Sequence, residues 1–189
     1  MNVQESWTVV ENVLADRFPN IYKSLNPGAS DADITRLESV IGKTIPDDFR
    51  DSLLIHNGQD DQSQLIRFVN YNSLLSVDDM IDDYKMHRGL FAGWDPIEWL
   101  APDKIKNVTW NSGWIKFTES DGDGYVIDLD PGPHGVVGQV FMRYHDDPSN
   151  VSNTKSDSFA TFLSDCANSL LQGSYEVEDG LIILSDCYA

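Results

Sequence analysis

The chain has 189 residues, 13 of them basic and 31 acidic, which gives a formal net charge of −18 at pH 7. A charge of this sign is repelled by the phosphate backbone of nucleic acids and by anionic membrane surfaces, so we expect neither as a direct partner. The composition is 41% hydrophobic and 11% aromatic, which is enough to bury a core and argues against disorder. No apolar run could span a bilayer and no signal peptide is visible, so we expect a cytoplasmic protein.

The first part of the chain has the apolar spacing of helices. Trp7 and Leu14 belong to one helical stripe, and Pro19 stops or restarts that segment. Ser30 followed by Asp33 resembles a capping box, in which the serine hydroxyl accepts a hydrogen bond from an otherwise unpaired backbone N–H group. This pattern predicts the start of a second helix there.

Three more helices follow from the same kind of signal. Pro46 suits the first turn of one helix, in which we expect Leu53 and Leu54 to face the core. Ser76 begins another capped helix. The last predicted helix stops near Gly173 and carries apolar residues at near-ideal spacing: Phe159, Phe162, Leu163, Cys166, Leu170 and Leu171.

The second half of the chain contains strand-like runs separated by turn-forming Asp, Gly and Pro. This arrangement is typical of an antiparallel meander. The three clearest runs are residues 114–117, 125–129 and 138–144. Residues 64–69 could form a further short strand, and residues 181–184 are predicted to form the last one.

Helices, then strands, then a helix indicate an α+β fold. We expect a single domain over residues 1–189, with the N-terminal helices and the C-terminal helix packed around a mostly antiparallel sheet. Residues 92–112, which contain Trp94, Trp99 and Trp110, have no regular pattern and are predicted to be irregular.

No catalytic set is visible in the sequence. The four histidines, His56, His87, His134 and His145, are scattered and lack cysteine neighbours at ligand spacing, so we interpret each as a surface or capping residue. No nucleophile is paired with an oriented base. We therefore predict a protein that is not an enzyme and that needs no cofactor or metal.

The segment 119–124 is the best candidate for a metal site. Glu119, Asp121 and Asp123 place oxygens at alternate positions before Gly124, as a calcium loop does. The twelfth position, however, is Asp130, which is too short to reach the ion as the usual glutamate does, and the flanks resemble strands. We prefer a tight hairpin and keep calcium at Asp121 and Asp123 as the weaker alternative.

Six aspartates are candidates for binding a partner. On the helix that begins near Ser76, the later aspartates repeat like charges at i,i+4, which helix stability does not explain. A solvated acidic face is the common explanation, and a surface that meets a basic partner is the alternative. The candidates are Asp60, Asp61, Asp78, Asp79, Asp82 and Asp83. If they serve only solubility, the interface is to be sought in the segment from Trp94 to Trp110.

Many short motifs occur in an order that resembles a known family. They are Trp7, residues 25–29, Ile34, Leu37, Glu38, Gly42, residues 45–50 and 53–59, Trp114, Ile115, residues 128–131 and 138–140, Ser158 and Phe159. This order resembles the SUKH superfamily, in the branch named for a fungal regulator of cell-wall synthesis. The resemblance covers a core of about residues 5–173, and residues 174–189 form a C-terminal extension. Lys116 departs from the pattern, because the family often has proline there.

The resemblance implies an α+β fold and a role in protein binding. Bacterial members are immunity proteins that neutralise a cognate toxin, often a nuclease, and fungal members are interaction scaffolds in wall synthesis. Our leading hypothesis is a non-enzymatic immunity protein, because a nuclease must be basic to hold its substrate and a chain at −18 suits that surface. The alternative is a regulatory interaction module of the fungal type.

Overall fold

A computed structural model of the chain describes residues 1–60, 72–91, 96–98, 103–147, 154–178 and 181–184. Within these ranges the helices are α1 (Val3–Arg17), α2 (Pro19–Ser24), α3 (Asp31–Ile41), α4 (Asp47–Ile55), α5 (Val77–Leu90) and α6 (Phe159–Gln172). The strands are β1 (Ser73–Leu74), β2 (Trp114–Lys116), β3 (Thr118–Glu119), β4 (Gly124–Asp128), β5 (Gln139–Arg143), β6 (Thr154–Ser156), β7 (Tyr175–Glu178) and β8 (Leu181–Leu184). The predicted α+β class is confirmed.

The helix ends follow the local signals. Ser30 and Ser76 each accept a hydrogen bond from the backbone N–H three residues on, and the aspartates at positions 33 and 79 complete both capping boxes. Gly42 and Gly173 adopt the left-handed conformation that ends α3 and α6. In α4 and in α6 the apolar spacing assigned one exposed residue to the core, because Leu54 and Leu171 are 41% and 59% exposed.

All strand pairs are antiparallel. The main sheet has the order β2-β4-β5-β6, and β1 pairs with β3 while β7 pairs with β8. The last pair confirms the predicted strand at 181–184 and adds β7, which the sequence did not indicate. The possible strand at 64–69 and the tryptophans at 94 and 99 lie outside the described residues. Among the described helices, none has the length and apolar character needed to cross a bilayer.

The main sheet has two different faces, because side chains alternate along each strand. One face, here called the helix face, packs against the helices, with Phe117 touching Phe159 and Phe162 of α6 and Phe49 of α4. It consists of Ile115, Phe117, Tyr125, Ile127 and Val140. The opposite face, here called the loop face, consists of Trp114, Lys116, Val126, Asp128, Gln139, Phe141 and Arg143.

Candidate functional site

The loop face buries polar side chains where a second apolar layer would be expected. Lys116, Asp128, Gln139 and Arg143 are all less than 8% exposed. The apolar cluster among them is small, and consists of Ile105, Trp114, Val126 and Phe141. Lysine, aspartate and arginine are rarely fully buried unless they are paired. The loop face is therefore the part of the molecule whose composition packing alone does not explain.

Lys116 is the centre of an ion-pair cluster. Its Nζ lies 2.8 Å from the carboxylate of Asp83, which comes from α5, and it also bonds the carboxylate of Glu119 on β3. The stem of the lysine side chain runs across Gly124 of the neighbouring strand, where a Cβ atom would lie 2.8 Å from Lys116 Cδ. A side chain at position 124 would therefore displace the lysine.

His87 connects this cluster to Arg143. Its Nδ1 lies 3.2 Å from Asp83 Oδ2, and its Nε2 lies 3.3 Å from Arg143 Nη1. Because a guanidinium group can only donate, His87 Nε2 must accept this bond, and the ring proton is then on Nδ1, facing Asp83. His87 thus lies between a carboxylate and a guanidinium and is stacked on the ring of Phe91.

Burial and pairing compete in setting the pKa values of these groups. Burial alone would raise the pKa of Asp83, but the hydrogen bond from His87 and the charge of Lys116 outweigh it and the pKa is lowered. Burial lowers the pKa of Arg143, and the nearby carboxylates of Asp83 and Asp123 oppose that effect. The charge of Lys116 therefore helps to keep Asp83 ionised.

The other end of the loop face contains Asp128, a buried carboxyl group whose pKa is shifted in the opposite direction to that of Asp83. Asp128 is fully buried, and burial raises its pKa although the backbone N–H of Asp130 and the amide of Gln139 donate to it. The indole of Trp114 lies near enough to favour the ionised form slightly, although its N–H does not reach hydrogen-bond geometry with any described residue.

A narrow recess of about 10 Å³ opens beside the ion-pair cluster. Its polar lining consists of Asp83, His87, Lys116 and Arg143. Its apolar walls are Trp110, Trp114 and Val126. The recess is no larger than about one water molecule requires.

Five of the six predicted partner-binding aspartates lie among the described residues, and Asp61 does not. Asp60 is exposed, and its backbone N–H donates to Ser24 O. Asp78 pairs with Arg36 at 2.6 Å, and Asp79 completes the capping box of α5. Asp82 has a side chain that is 83% exposed.

Asp83 does not belong to the exposed acidic face of α5. Its side chain is only 14% exposed and is paired with Lys116. That Asp83 binds a partner stays a prediction, although the contact with Lys116 accounts for its charge within the chain. The interpretation of His87 as a surface residue is wrong, because it is 7% exposed and its two ring nitrogens face Asp83 and Arg143.

The segment 119–124 forms the predicted tight hairpin. Asp121 and Gly122 have φ values of 52° and 93°, and Ser120 and Asp123 exchange backbone hydrogen bonds across the turn. These dihedrals are those of a two-residue type I′ turn. Asp130 lies beyond the far end of β4, where Lys106 and Asn111 bind its carboxylate, so it cannot complete a calcium loop.

A second set of possible ligand atoms lies beside this turn. Asp123 Oδ1 accepts hydrogen bonds from the backbone N–H and the ring Nδ1 of His145, each at 2.8 Å. The hydrogen bond to Asp123 is the main cause of the raised pKa of His145. Together with Asp146, these groups place ligand atoms within 4.8 Å of one another. The sequence pattern predicted Asp123 as a possible metal ligand but not His145 or Asp146, which come just after the end of β5.

Two signals in the sequence could have led to the ion-pair cluster. Lys116 lies inside a run of apolar strand residues, at a position where the family that the chain resembles often has proline. Arg143 likewise interrupts an apolar strand. A charged residue at an inward-facing strand position predicts a partner, although only the fold identifies Asp83 and His87 as that partner.

Comparison with known proteins assigns a family to most of this architecture. Residues 28–165 match the model of the SMI1 / KNR4 family (SUKH-1). The chain is 27% identical over 192 residues to the cell wall biosynthesis/cell cycle regulator smi1 of Schizosaccharomyces pombe, covering 94% of this chain and 38% of that protein. It is 23% identical to a glucan synthesis regulatory protein of Neurospora crassa, again over 94% of this chain and 40% of that protein.

A shorter match links the chain to a different kind of protein. Human F-box only protein 3 is 30% identical over 95 residues, which is 47% of this chain and 20% of that protein. The chain thus spans about two fifths of the length of the fungal relatives and a smaller share of the F-box protein.

Proposed function

The chain belongs to the SMI1/KNR4 family (SUKH-1), and from this premise we propose that it is a regulatory protein-interaction module of the cell-wall-synthesis regulator type. The observation that carries the proposal is the similarity over 94% of the chain to two fungal proteins named as regulators of wall or glucan synthesis. The module works by binding another protein and not by turnover. Its placement in the cytoplasm and as one domain over residues 1–189 is part of the same proposal.

The charge of the module favours a partner with a basic surface. A net charge of −18 produces a field that attracts a cationic partner until salt screens it beyond about 8 Å at physiological ionic strength. On α5, Asp82 is the aspartate best placed to act in this way, because Asp78 and Asp79 are engaged within the chain and Asp83 is half-buried and paired with Lys116. Asp60 and Asp61, which precede β1 in the chain, are further candidates.

Neutralisation of a cognate basic toxin is the second candidate function. The same negative charge supports it, since a nuclease that holds nucleic acid must present a positive surface. The names of the relatives reported above describe regulators and F-box proteins, so the comparisons favour the regulatory function over this one.

A replacement experiment tests the regulatory function. The segment of the fission yeast regulator that aligns with this chain is exchanged for the chain, and growth on inhibitors of wall synthesis is compared with that of the parent strain and of a strain that lacks the regulator. We expect the chimera to restore growth. A chimera that is expressed and folded but leaves the cells as sensitive as the deletion contradicts the proposal, and a toxin identified as the partner by cross-linking in native cells favours the second candidate.

A matched pair of variants tests the electrostatic part of the proposal. Asp82→Asn on α5 is compared with Asp16→Asn on α1, whose side chain is 82% exposed. Association kinetics with the identified partner are measured at two salt concentrations. We expect Asp82→Asn to slow association at low salt more than Asp16→Asn does, because charges at the rim of an interface act mainly on the on-rate. Equal rates for both variants would show that α5 is only a solvated face.

A further inference from the structure

We propose that an exposed row of side chains on α5, here called the α5 ridge, binds an amphipathic helix of another protein. The ridge consists of Asp78, Asp82, Met86 and Leu90. The partner helix places an apolar stripe over Met86 and Leu90 and basic side chains against the two aspartates. The inference rests on the proposed function, because it names the surface and the kind of partner through which a protein-interaction module acts.

The α5 ridge lies on the side of the helix that faces away from the core. Its residues are four positions apart, so they form one continuous row along the helix surface. All four side chains are exposed, with Met86 at 52% and Leu90 at 60%. The opposite side of α5 carries the buried residues Val77, Met80, Ile81, Tyr84 and His87. The core therefore accounts for one side of α5 and leaves two large apolar side chains in solvent on the other.

Gly89 lies beside the ridge and has no role in the packing of the chain. Among the glycines in the described ranges, it is the only one that has neither a left-handed φ nor an atom within 4 Å of the place of a Cβ atom. Inside a helix, glycine is less favourable than alanine, so α5 loses stability here without a gain in packing. The missing side chain leaves a gap next to Met86 and Leu90, into which a side chain of a second helix fits as the two backbones approach.

The charges along the ridge select the partner. The half of the ridge with Asp78 and Asp82 attracts basic residues, and the net charge of −18 adds to that attraction. Arg36 pairs with Asp78, and both side chains stay largely exposed. Lys85 lies 4.0 Å from Asp82 in an equally exposed pair. Such surface pairs are weak, so a partner can replace them. The other half is apolar, and the flexible side chain of Met86 adapts to an apolar stripe.

The first experiment uses the isotope-labelled full chain and a synthetic helical peptide of leucine, alanine and lysine, with the leucines in one stripe and the lysines at one end. A control peptide of the same composition has its leucines spread around the helix. We expect the striped peptide to cause saturable NMR shifts at the Met86 and Leu90 methyl groups and at the Gly89 N–H, and to bind about tenfold more tightly than the control. Val136 and Val137, two exposed apolar residues before β5, should not shift. Equal binding of both peptides, or no saturable shift on the ridge, would overturn the proposal.

Gly89→Gln separates binding from folding. Because the chain has no atom near the added Cβ, the melting temperature should stay the same or rise. The striped peptide should bind about tenfold more weakly, since the new side chain fills the gap. Leu171→Gln, which changes a residue 59% exposed on α6, is the matched control and should leave peptide binding unchanged. Wild-type affinity in folded Gly89→Gln, or a large fall in its melting temperature, would contradict the role given to Gly89.

A last measurement makes failure of this inference distinguishable from failure of the proposed function. Partners of the full chain are identified by cross-linking in native cells, and the affinity of the identified protein is measured for the wild type and for Gly89→Gln. Binding that is about tenfold weaker in the variant supports the ridge. Equal affinities contradict the ridge and leave the interaction function standing, whereas the absence of any protein partner contradicts the function itself. A dimer of the isolated chain that Gly89→Gln dissociates in sedimentation would replace the other protein by a second copy.

Discussion

The helix face and the loop face of the main sheet use the same strands in different ways. On the helix face, Ile127 and Phe117 pack against aromatic side chains of α4 and α6 in the main core. On the loop face, Lys116 and Arg143 are buried to nearly the same extent, but their contacts are carboxylates, an imidazole and a small apolar cluster. Equal burial is therefore reached with two different kinds of contact.

The difference separates apolar packing from polar pairing in this fold. Apolar contacts on the helix face are non-directional and contribute mainly to the free energy of unfolding. A buried ion pair contributes little net stability, but it is costly to break, and it keeps polar groups in place beside the recess. We expect substitutions on the two faces to differ in size and in their dependence on pH.

The largest effect is expected from truncation on the helix face. Phe117→Ala should lower the free energy of unfolding by about 4–5 kcal/mol, because the ring packs among aromatic side chains that cannot collapse into the cavity. Phe141→Ala, the matched change on the loop face, should cost about 3 kcal/mol, because the nearby recess lets its surroundings relax. Urea denaturation measures both values, and a larger loss at Phe141 would contradict the distinction between the faces.

The next largest effect is expected at the ion pair. Asp83→Asn leaves the buried ammonium of Lys116 with Glu119 as its remaining carboxylate and should cost about 2 kcal/mol. Asp82→Asn, one position earlier on α5 and 83% exposed, should change stability by no more than about 0.5 kcal/mol. Thermal unfolding of the two variants compares them directly. Similar losses in both would mean that the pair with Lys116 contributes nothing measurable.

The contributions of Asp83 and Asp128 to stability should respond to pH in opposite directions. The pKa of Asp83 is lowered in the folded chain, so its contribution is present above the unfolded pKa of about 3.9 and is lost as pH falls through the folded value. The pKa of Asp128 is raised, so its folded form binds a proton more tightly and its ionisation destabilises the fold as pH rises above about 3.9.

Asp128→Asn removes that second effect. The stability of the variant relative to the wild type should therefore increase as pH is raised above about 3.9, because the raised pKa of the wild-type carboxyl makes its ionisation in the folded state costly. Denaturant midpoints at several pH values provide the measurement. A difference that is constant with pH would show that Asp128 has no raised pKa.

The smallest effect is expected at the hairpin beside the loop face. Asp123→Asn should lower the pKa of His145, since the hydrogen bond to Asp123 is the largest of the causes that raise it, and the ring is exposed, so stability should hardly change. A titration of the His145 ring protons by NMR measures the shift.

In the same hairpin, millimolar calcium should leave the melting temperature nearly unchanged. A rise of several degrees that Asp121→Asn/Asp123→Asn abolishes would establish a calcium site.

Local signals predicted much of the fold. The capping boxes at Ser30 and Ser76 and the stops at Gly42 and Gly173 depend on residues a few positions apart, so they are readable from the chain alone. The tight turn at residues 120–123 is of the same kind. Apolar periodicity does not distinguish buried from exposed residues at the margin of an apolar stripe. For this reason it assigned Leu54 and Leu171 to the core, although both are exposed.

Most contacts of the candidate site could not be predicted from the sequence, because they join residues that are far apart in the chain. The sequence by itself determined the helices, the meander, the α+β class and the negative charge, because these depend on spacing, local capping and composition. Only the tertiary structure decided that Asp83 leaves the acidic face of α5 to meet Lys116, and that His87 lies between Asp83 and Arg143. Partners this far apart in the chain are chosen by how α5 packs on the β2 edge of the sheet, and the charge pattern of a single helix contains no information about that packing.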